Sequence, residues 1–210
     1  VPRPNFVAVN NRLALKTYLT AGYPKSEILP VEALRYLYIN NFKKLKTKNL
    51  QPRFCQNVEV MVLGSVIPSF NEFLVDVVAQ SANLCAKNVN FRVRPHPACP
   101  IKIDKDIVNV GICSEPSLVK ALEISDLVVT GGATAAVLDA YFYGSKVIKL
   151  LQPNHLNVCP LKDFDGITSV TNKVELANAI DSLKEKNEAV NQDYFYLDEH
   201  LKRWKKITGL

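Results

Sequence analysis

No apolar run in this 210-residue chain approaches the roughly 20 residues a helix needs to cross a bilayer, so the sequence offers no helical membrane span. Nor does it open on the charged-then-apolar pattern of a signal peptide. Its five cysteines, Cys55, Cys85, Cys99, Cys113 and Cys159, are odd in number and include no C-x-x-C pair. That spacing argues against a disulfide framework and against a zinc site. They read as buried, reduced thiols of a cytosolic protein. Histidine is limited to three residues, and methionine and tryptophan to one each. G-x-G-x-x-G and G-x-x-x-x-G-K-[ST] are both missing, which argues against dinucleotide oxidoreductases and P-loop NTPases. Basic and aromatic residues do not interleave as in nucleic-acid modules, so no nucleic-acid partner is expected.

What is present is an ordinary globular composition, 48% hydrophobic and 22% charged. The length suits one large domain, or one domain with part of another. An opening on Val1-Pro2-Arg3-Pro4 without methionine reads as a piece excised from a longer protein. The net charge of +6 is concentrated locally. Lys43, Lys44, Lys46, Lys48 and Arg53 crowd one stretch, and Lys202, Arg203, Lys205 and Lys206 another. Such runs are solvated surface, or suit peripheral contact with an anionic membrane face.

Along the chain, residues 6–9 predict a strand, 12–20 a helix stopped by Gly22-Tyr23-Pro24, and 28–31 a short extended piece. Residues 34–40 are aromatic-rich and fit no single pattern. Composition then turns to lysine, asparagine and proline, which places a linker at 42–56, separating residues 1–41 from a domain at 57–190. Regular alternation follows: strands at 58–63, 90–94, 107–112, 127–130, 146–150 and 167–170, and helices at 70–87, 117–124 and 133–143. Thr171 or Asn172 caps a further helix running to 183. Residues 191–210 carry a terminal amphipathic helix at 197–207. Strands alternating with helices predict an α/β fold, a Rossmann-like parallel sheet with helices on both faces.

Ligand sites in such sheets lie at the carboxyl ends of the strands. The polar and glycine-rich turns fall there: Gly64-Ser65, Arg94-Pro95-His96-Pro97, Cys113-Ser114-Glu115-Pro116 and Thr130-Gly131-Gly132-Ala133-Thr134. Two prolines fix the backbone around His96, setting an imidazole at the edge where it can donate to a phosphate oxygen, or merely cap a turn. Arg92 and Arg94 share strand parity; one suits an anion and the other an acidic partner. Thr130, Thr134 and the amides from Gly131 to Ala135 form a candidate phosphate cradle at a helix start, or a plain turn with Thr134 as cap. Asp139, inside an apolar helix, needs a partner: ribose hydroxyls or a lysine. Ser114 and Glu115 are placed to touch a base. Glu32 and Arg35 either face a cleft between domains or form internal ion pairs.

At Arg94-Pro95-His96-Pro97, the strand 125–130 and Leu138-Asp139-Ala140 leading to Gly144-Ser145-Lys146-Val147-Ile148, the chain resembles the C-terminal nucleotide-binding half of a GT-B glycosyltransferase. It is most similar to the bacterial surface-carbohydrate (lipopolysaccharide or capsule) kind, over about three quarters of its length. The resemblance implies that His96 and Thr134 hold donor phosphates, that Asp139 holds ribose, and that residues 1–41 end an N-terminal acceptor-side domain. It departs from the family at Ser145-Lys146, where lysine-proline is usual, at Asp139, where glutamate is usual, and at Gly131–Thr134, which lacks the paired serines.

The implied activity is metal-independent glycosyl transfer from a nucleotide-sugar donor to a glycan or lipid-linked acceptor, with no cofactor. The implied place is the cytoplasm, peripheral to the inner membrane face. The general base is expected in the preceding domain, leaving this piece able to bind donor without transferring it. Two other readings stay open, a sugar-nucleotide 2-epimerase-like enzyme and a non-catalytic module that kept the fold.

Overall fold

The computed structural model describes residues 3–46, 57–104, 106–132, 134–159, 161, 164, 167–183 and 194–209. Residues 47–56 of the expected linker, with Cys55, lie outside the described residues, as does Ala133. The chain divides into two compact units, Val1–Lys48 with Ala189–Leu210, and Asn49–Glu188.

The first unit opens with β1 (Val7–Val9), α1 (Arg12–Thr20), β2 (Ile28–Pro30) and α2 (Ile39–Lys46). The Asn11 side chain caps α1 by accepting from the Ala14 amide at 2.7 Å. β1 and β2 pair in parallel. Residues 34–36 form a single 3-10 turn before α2, and α2 takes up the first residues of the expected linker.

The second unit alternates strand and helix: β3 (Asn57–Leu63), α3 (Pro68–Ala82), β4 (Asn88–Arg94), β5 (Val110–Ile112), α4 (Leu118–Ile124), β6 (Leu127–Thr130), α5 (Ala136–Tyr143), β7 (Lys146–Leu150), β8 (Thr168–Val170) and α6 (Lys173–Asp181). The six strands are all parallel, in the order β5-β4-β3-β6-β7-β8. The first strand is central; the chain builds outward on one side, then returns to its other side, as in doubly wound nucleotide-binding sheets. One face carries Val58, Val60, Val62, Phe91, Val93, Leu127, Val129, Ile148 and Leu150 against Phe70, Leu74, Val78, Leu176 and Ile180 of α3 and α6. The alternate residues Met61 and Val128 are fully buried on the opposite face, which α4 and α5 cover.

Several boundaries differ from the sequence reading. α3 starts at Pro68, whose fixed φ suits a first helical position, and stops at Ala82 where the Leu84 and Cys85 amides turn back onto the Ser81 carbonyl. Cys85 therefore sits in a turn, where burial, with Asp181's charge, pushes its thiol up to about 11. β5 is shortened because Asn109 adopts φ 65°, which breaks the extended run. α5 begins at Ala136, later than residue 133, and the last helix, α7, runs Lys202–Thr208. No helix among the described residues is long and apolar enough to cross a membrane.

Candidate functional site

The strand order puts the topological switch between β3 and β6, so the turns that follow these two strands open onto one crevice. Contacts link those turns in sequence. The Gly64 amide donates to the Arg94 carbonyl at 2.9 Å, and a Cβ on Gly64 would lie 3.2 Å from the His96 nitrogen. A Cβ on Gly132, which has φ 63°, would lie 2.9 Å from Ser65 Oγ. One on Gly131 would fall on the Phe70 ring and 2.5 Å from the Leu150 carbonyl. Glycine is required at Gly131 by close approach to a ring and to backbone, and at Gly132 by its left-handed conformation. The His-Pro segment, Gly64-Ser65 and Gly131-Gly132 thus stand on the same rim, each against the next.

A residue the sequence reading missed sets this rim. Asn71, buried in α3, accepts from the Ser65 amide at 2.7 Å and donates to the Ser65 carbonyl at 2.9 Å. Its Nδ2 also reaches Cys99 Sγ at 3.2 Å. The available signal was an amide inside an otherwise apolar helix stripe, since such a group needs partners when buried.

His96 is half-buried and bridges to Cys99, whose amide donates to the His96 carbonyl at 2.9 Å. The Ala98 amide donates to His96 Nδ1 at 3.1 Å. That bond makes Nδ1 an acceptor, which assigns the proton of the neutral ring to Nε2. Nε2–H has no partner among the described residues and is left to donate to an oxyanion. The turn-capping role and the donor role therefore use different nitrogens of the same ring.

The arginines are mostly committed. Arg94 Nη1 donates to the Glu115 carbonyl at 2.9 Å, tying the end of β4 to the turn after β5. Arg92 Nε pairs with Glu59 Oε2 at 3.0 Å in a partly exposed bridge. Glu115 is held by its backbone, and Ser114 is exposed beside it.

At the end of β6, Thr130 is fully buried and its Oγ1 has no hydrogen-bond partner among the described residues. Thr134 is also buried, but it does not cap α5: the N-cap is Ala135, with no side-chain hydrogen bond. Asp139 stands in the first turn of α5, not deeper in the helix, because α5 starts late. A carboxylate there is favoured by the helix dipole.

Glu32 and Arg35 belong to the other unit, and Glu32 does not face a cleft. Its side chain is fully buried and accepts from the Arg203 amide at 3.0 Å, the Trp204 amide at 3.1 Å and Arg203 Nη1 at 3.2 Å. Burial pushes its carboxyl up, yet the amides of Arg203, Trp204 and Glu32 itself, with the Arg203 guanidinium, outweigh burial and hold it below the ordinary value. The ion pair is internal, with α7 as its partner. Arg35 is exposed, its guanidinium 5.7 Å from the Tyr36 ring centre.

No family model and no curated protein sequence matches the chain. Solved structures do. A UDP-GlcNAc 2-epimerase from Methanocaldococcus jannaschii is similar with a TM-score of 0.61 and 11% identity, over 98% of this chain and 62% of that one. A glycotransferase of kitacinnamycin is similar at 0.53 and 12%, over 84% and 46%. A wall teichoic acid polymerase, TagF, is similar at 0.52 and 12%, over 97% and 57%. The chain thus spans less than two thirds of each of these neighbours. What they have in common with it is a fold: the parallel, Rossmann-like sheet of the GT-B architecture, with helices on both faces.

Proposed function

We propose that this chain is the donor-binding portion of a glycosyltransferase that uses a nucleotide sugar. One observation carries the reading: the turns after β3 and β6 meet at the switch of a doubly wound sheet, beside an imidazole whose Nε2–H is left to donate. In this reading the turn amides and the start of α5 receive the donor phosphates, with Thr134 beside them and Asp139 toward the ribose. As the glycosidic bond breaks, charge grows on the departing nucleotide, and His96 Nε2–H and the α5 dipole stabilise it there. Such a mechanism requires no metal or cofactor.

The general base and the glycan or lipid-linked acceptor then belong to the preceding domain. The likeness to the wall teichoic acid polymerase supports a role in bacterial surface-polymer assembly. The lysine runs near residues 43–48 and 202–206 support peripheral contact with the anionic inner membrane face from the cytoplasm.

Calorimetric titration with CMP, UDP and GDP tests the reading. One base should bind preferentially, and His96→Ala should weaken it about tenfold, the scale of one charge-assisted hydrogen bond. Equal, weak responses to all three in both proteins would remove it. The epimerase likeness favours a second reading, sugar-nucleotide 2-epimerisation. Formation of the 2-epimer when the protein is given UDP-GlcNAc would select it over transfer.

A further inference from the structure

Asn71 stands in the first turn of α3 and is only 4% exposed, yet every group of its carboxamide is engaged. The oxygen accepts from the Ser65 amide, one N–H donates to the Ser65 carbonyl, and the other is left for Cys99 Sγ. The first two bonds take both backbone groups of Ser65, as a neighbouring strand would. The third reaches the buried cysteine that closes the His96 turn, since the Cys99 amide donates to the His96 carbonyl. Within that turn the Ala98 amide holds His96 Nδ1. Ser65 in turn fills the space beside Gly132, where a Cβ would lie 2.9 Å from its Oγ. One buried amide therefore bonds to two turns of the rim and abuts the third through Ser65. A slip of either bonded turn would leave a buried polar group unpaired, which is costly. Aspartate lacks the two donors, and leucine lacks donors and acceptor alike.

From these contacts we infer that Asn71 is a positioning residue of the donor site, acting on His96 through Cys99. The amide–thiol contact holds the turn in which Ala98 engages Nδ1, and so keeps the proton of the neutral ring on Nε2. The effect on affinity rests on the proposed donor reading; the effect on the imidazole does not.

The test uses the whole chain and the variants Cys99→Ala, Cys99→Ser, Asn71→Leu and His96→Ala, each checked for cooperative melting. Nitrogen-15 NMR of the histidine rings in mildly alkaline buffer needs no nucleotide, and the signals lost in His96→Ala identify that ring among the three histidines. In the unmodified protein Nδ1 should read as a bare acceptor and Nε2 as protonated. Cys99→Ala should move this pattern toward that of the exposed His155, and Cys99→Ser, which keeps an acceptor, should largely restore it. An unmoved His96 pattern in folded Cys99→Ala overturns the inference.

Affinity for whichever of CMP, UDP and GDP binds most tightly gives the second readout. Cys99→Ala should weaken it about fivefold, the scale of one neutral hydrogen bond. The same change should add nothing in a His96→Ala or an Asn71→Leu background. An equal loss in all backgrounds is what packing alone produces, and it overturns the inference. Asn71→Leu releases both turns and should weaken binding more than Cys99→Ala; if it fails to fold, the cycle between Cys99 and His96 decides. Should no nucleotide bind, the donor reading falls, and the ring signals still decide whether the Asn71–Cys99 contact governs His96.

Discussion

α5 and α7 each begin without a side-chain cap of their own, and the molecule resolves the two cases differently. At α7 the amides of Arg203 and Trp204 are taken by the carboxylate of Glu32, 171 and 172 residues earlier, and the arrangement is closed by Trp204 Nε1 donating to the Glu32 carbonyl at 2.9 Å. At α5 the start stands behind Gly131-Gly132 on the rim, with a threonine hydroxyl at its foot that has no partner among the described residues. An exposed or open helix start is a place for an anion; a buried start that already holds one is architecture. The same local deficiency therefore separates a binding edge from a structural joint.

The largest expected effect lies at the joint. Glu32→Ala should destabilise the terminal unit by about 2–4 kcal/mol, because it leaves two amides and a guanidinium without their acceptor. Trp204 is the sole tryptophan, so its fluorescence during urea unfolding reads this unit directly. No change in the midpoint would mean that Glu32 is dispensable to α7.

Next comes the rim. Gly131→Ala should cost about 1–3 kcal/mol, since the added methyl meets the Phe70 ring and the Leu150 backbone. Nucleotide affinity should fall with it; unchanged stability would show that the turn has slack the contacts deny. Acid titration sharpens the contrast further. Glu32 is held ionised more firmly when folded than unfolded, so its contribution is complete above the ordinary carboxylate range and fades as pH falls through its lowered folded value. Trp204-monitored stability should show that acid loss, and Glu32→Gln should flatten it.

Ala135→Asp is the subtlest change. A carboxylate at the uncapped start of α5 should raise stability by about 0.3–1 kcal/mol through the helix dipole, while repelling nucleotide phosphates. Stability and affinity should move in opposite directions; if both rise, the start of α5 is not where phosphate binds. Arg92→Ala supplies the baseline, about 0.5 kcal/mol or less, because its pair with Glu59 is partly exposed.

The period of apolar residues made the sheet legible. Residues 146–150 and 12–20 fall where expected because a glycine or asparagine bounds each run and nothing distant competes. The rim was legible for the same reason, since its turns are coded by local glycine and proline. Glu32 was not, because its meaning depends on amides at the far end of the chain. Asn71 hid inside an amphipathic stripe, and the Ala135 cap depended on where α5 starts, which alanine-rich sequence leaves loose.

The central place of β3 has a consequence for how the molecule assembles. One side of that strand is completed early, by a neighbour such as Asn90 that lies 31 residues from Glu59. The other waits for Asp126, 67 residues on, whose carboxylate accepts from the Glu59 amide at 2.9 Å. Until that later segment arrives, β3 presents an unpaired apolar edge, open to pairing with another chain. Non-local pairing of this kind forms slowly. The β3–β6 junction cannot close before residue 126 is in place, and a chain halted short of it would leave that apolar edge open to self-association.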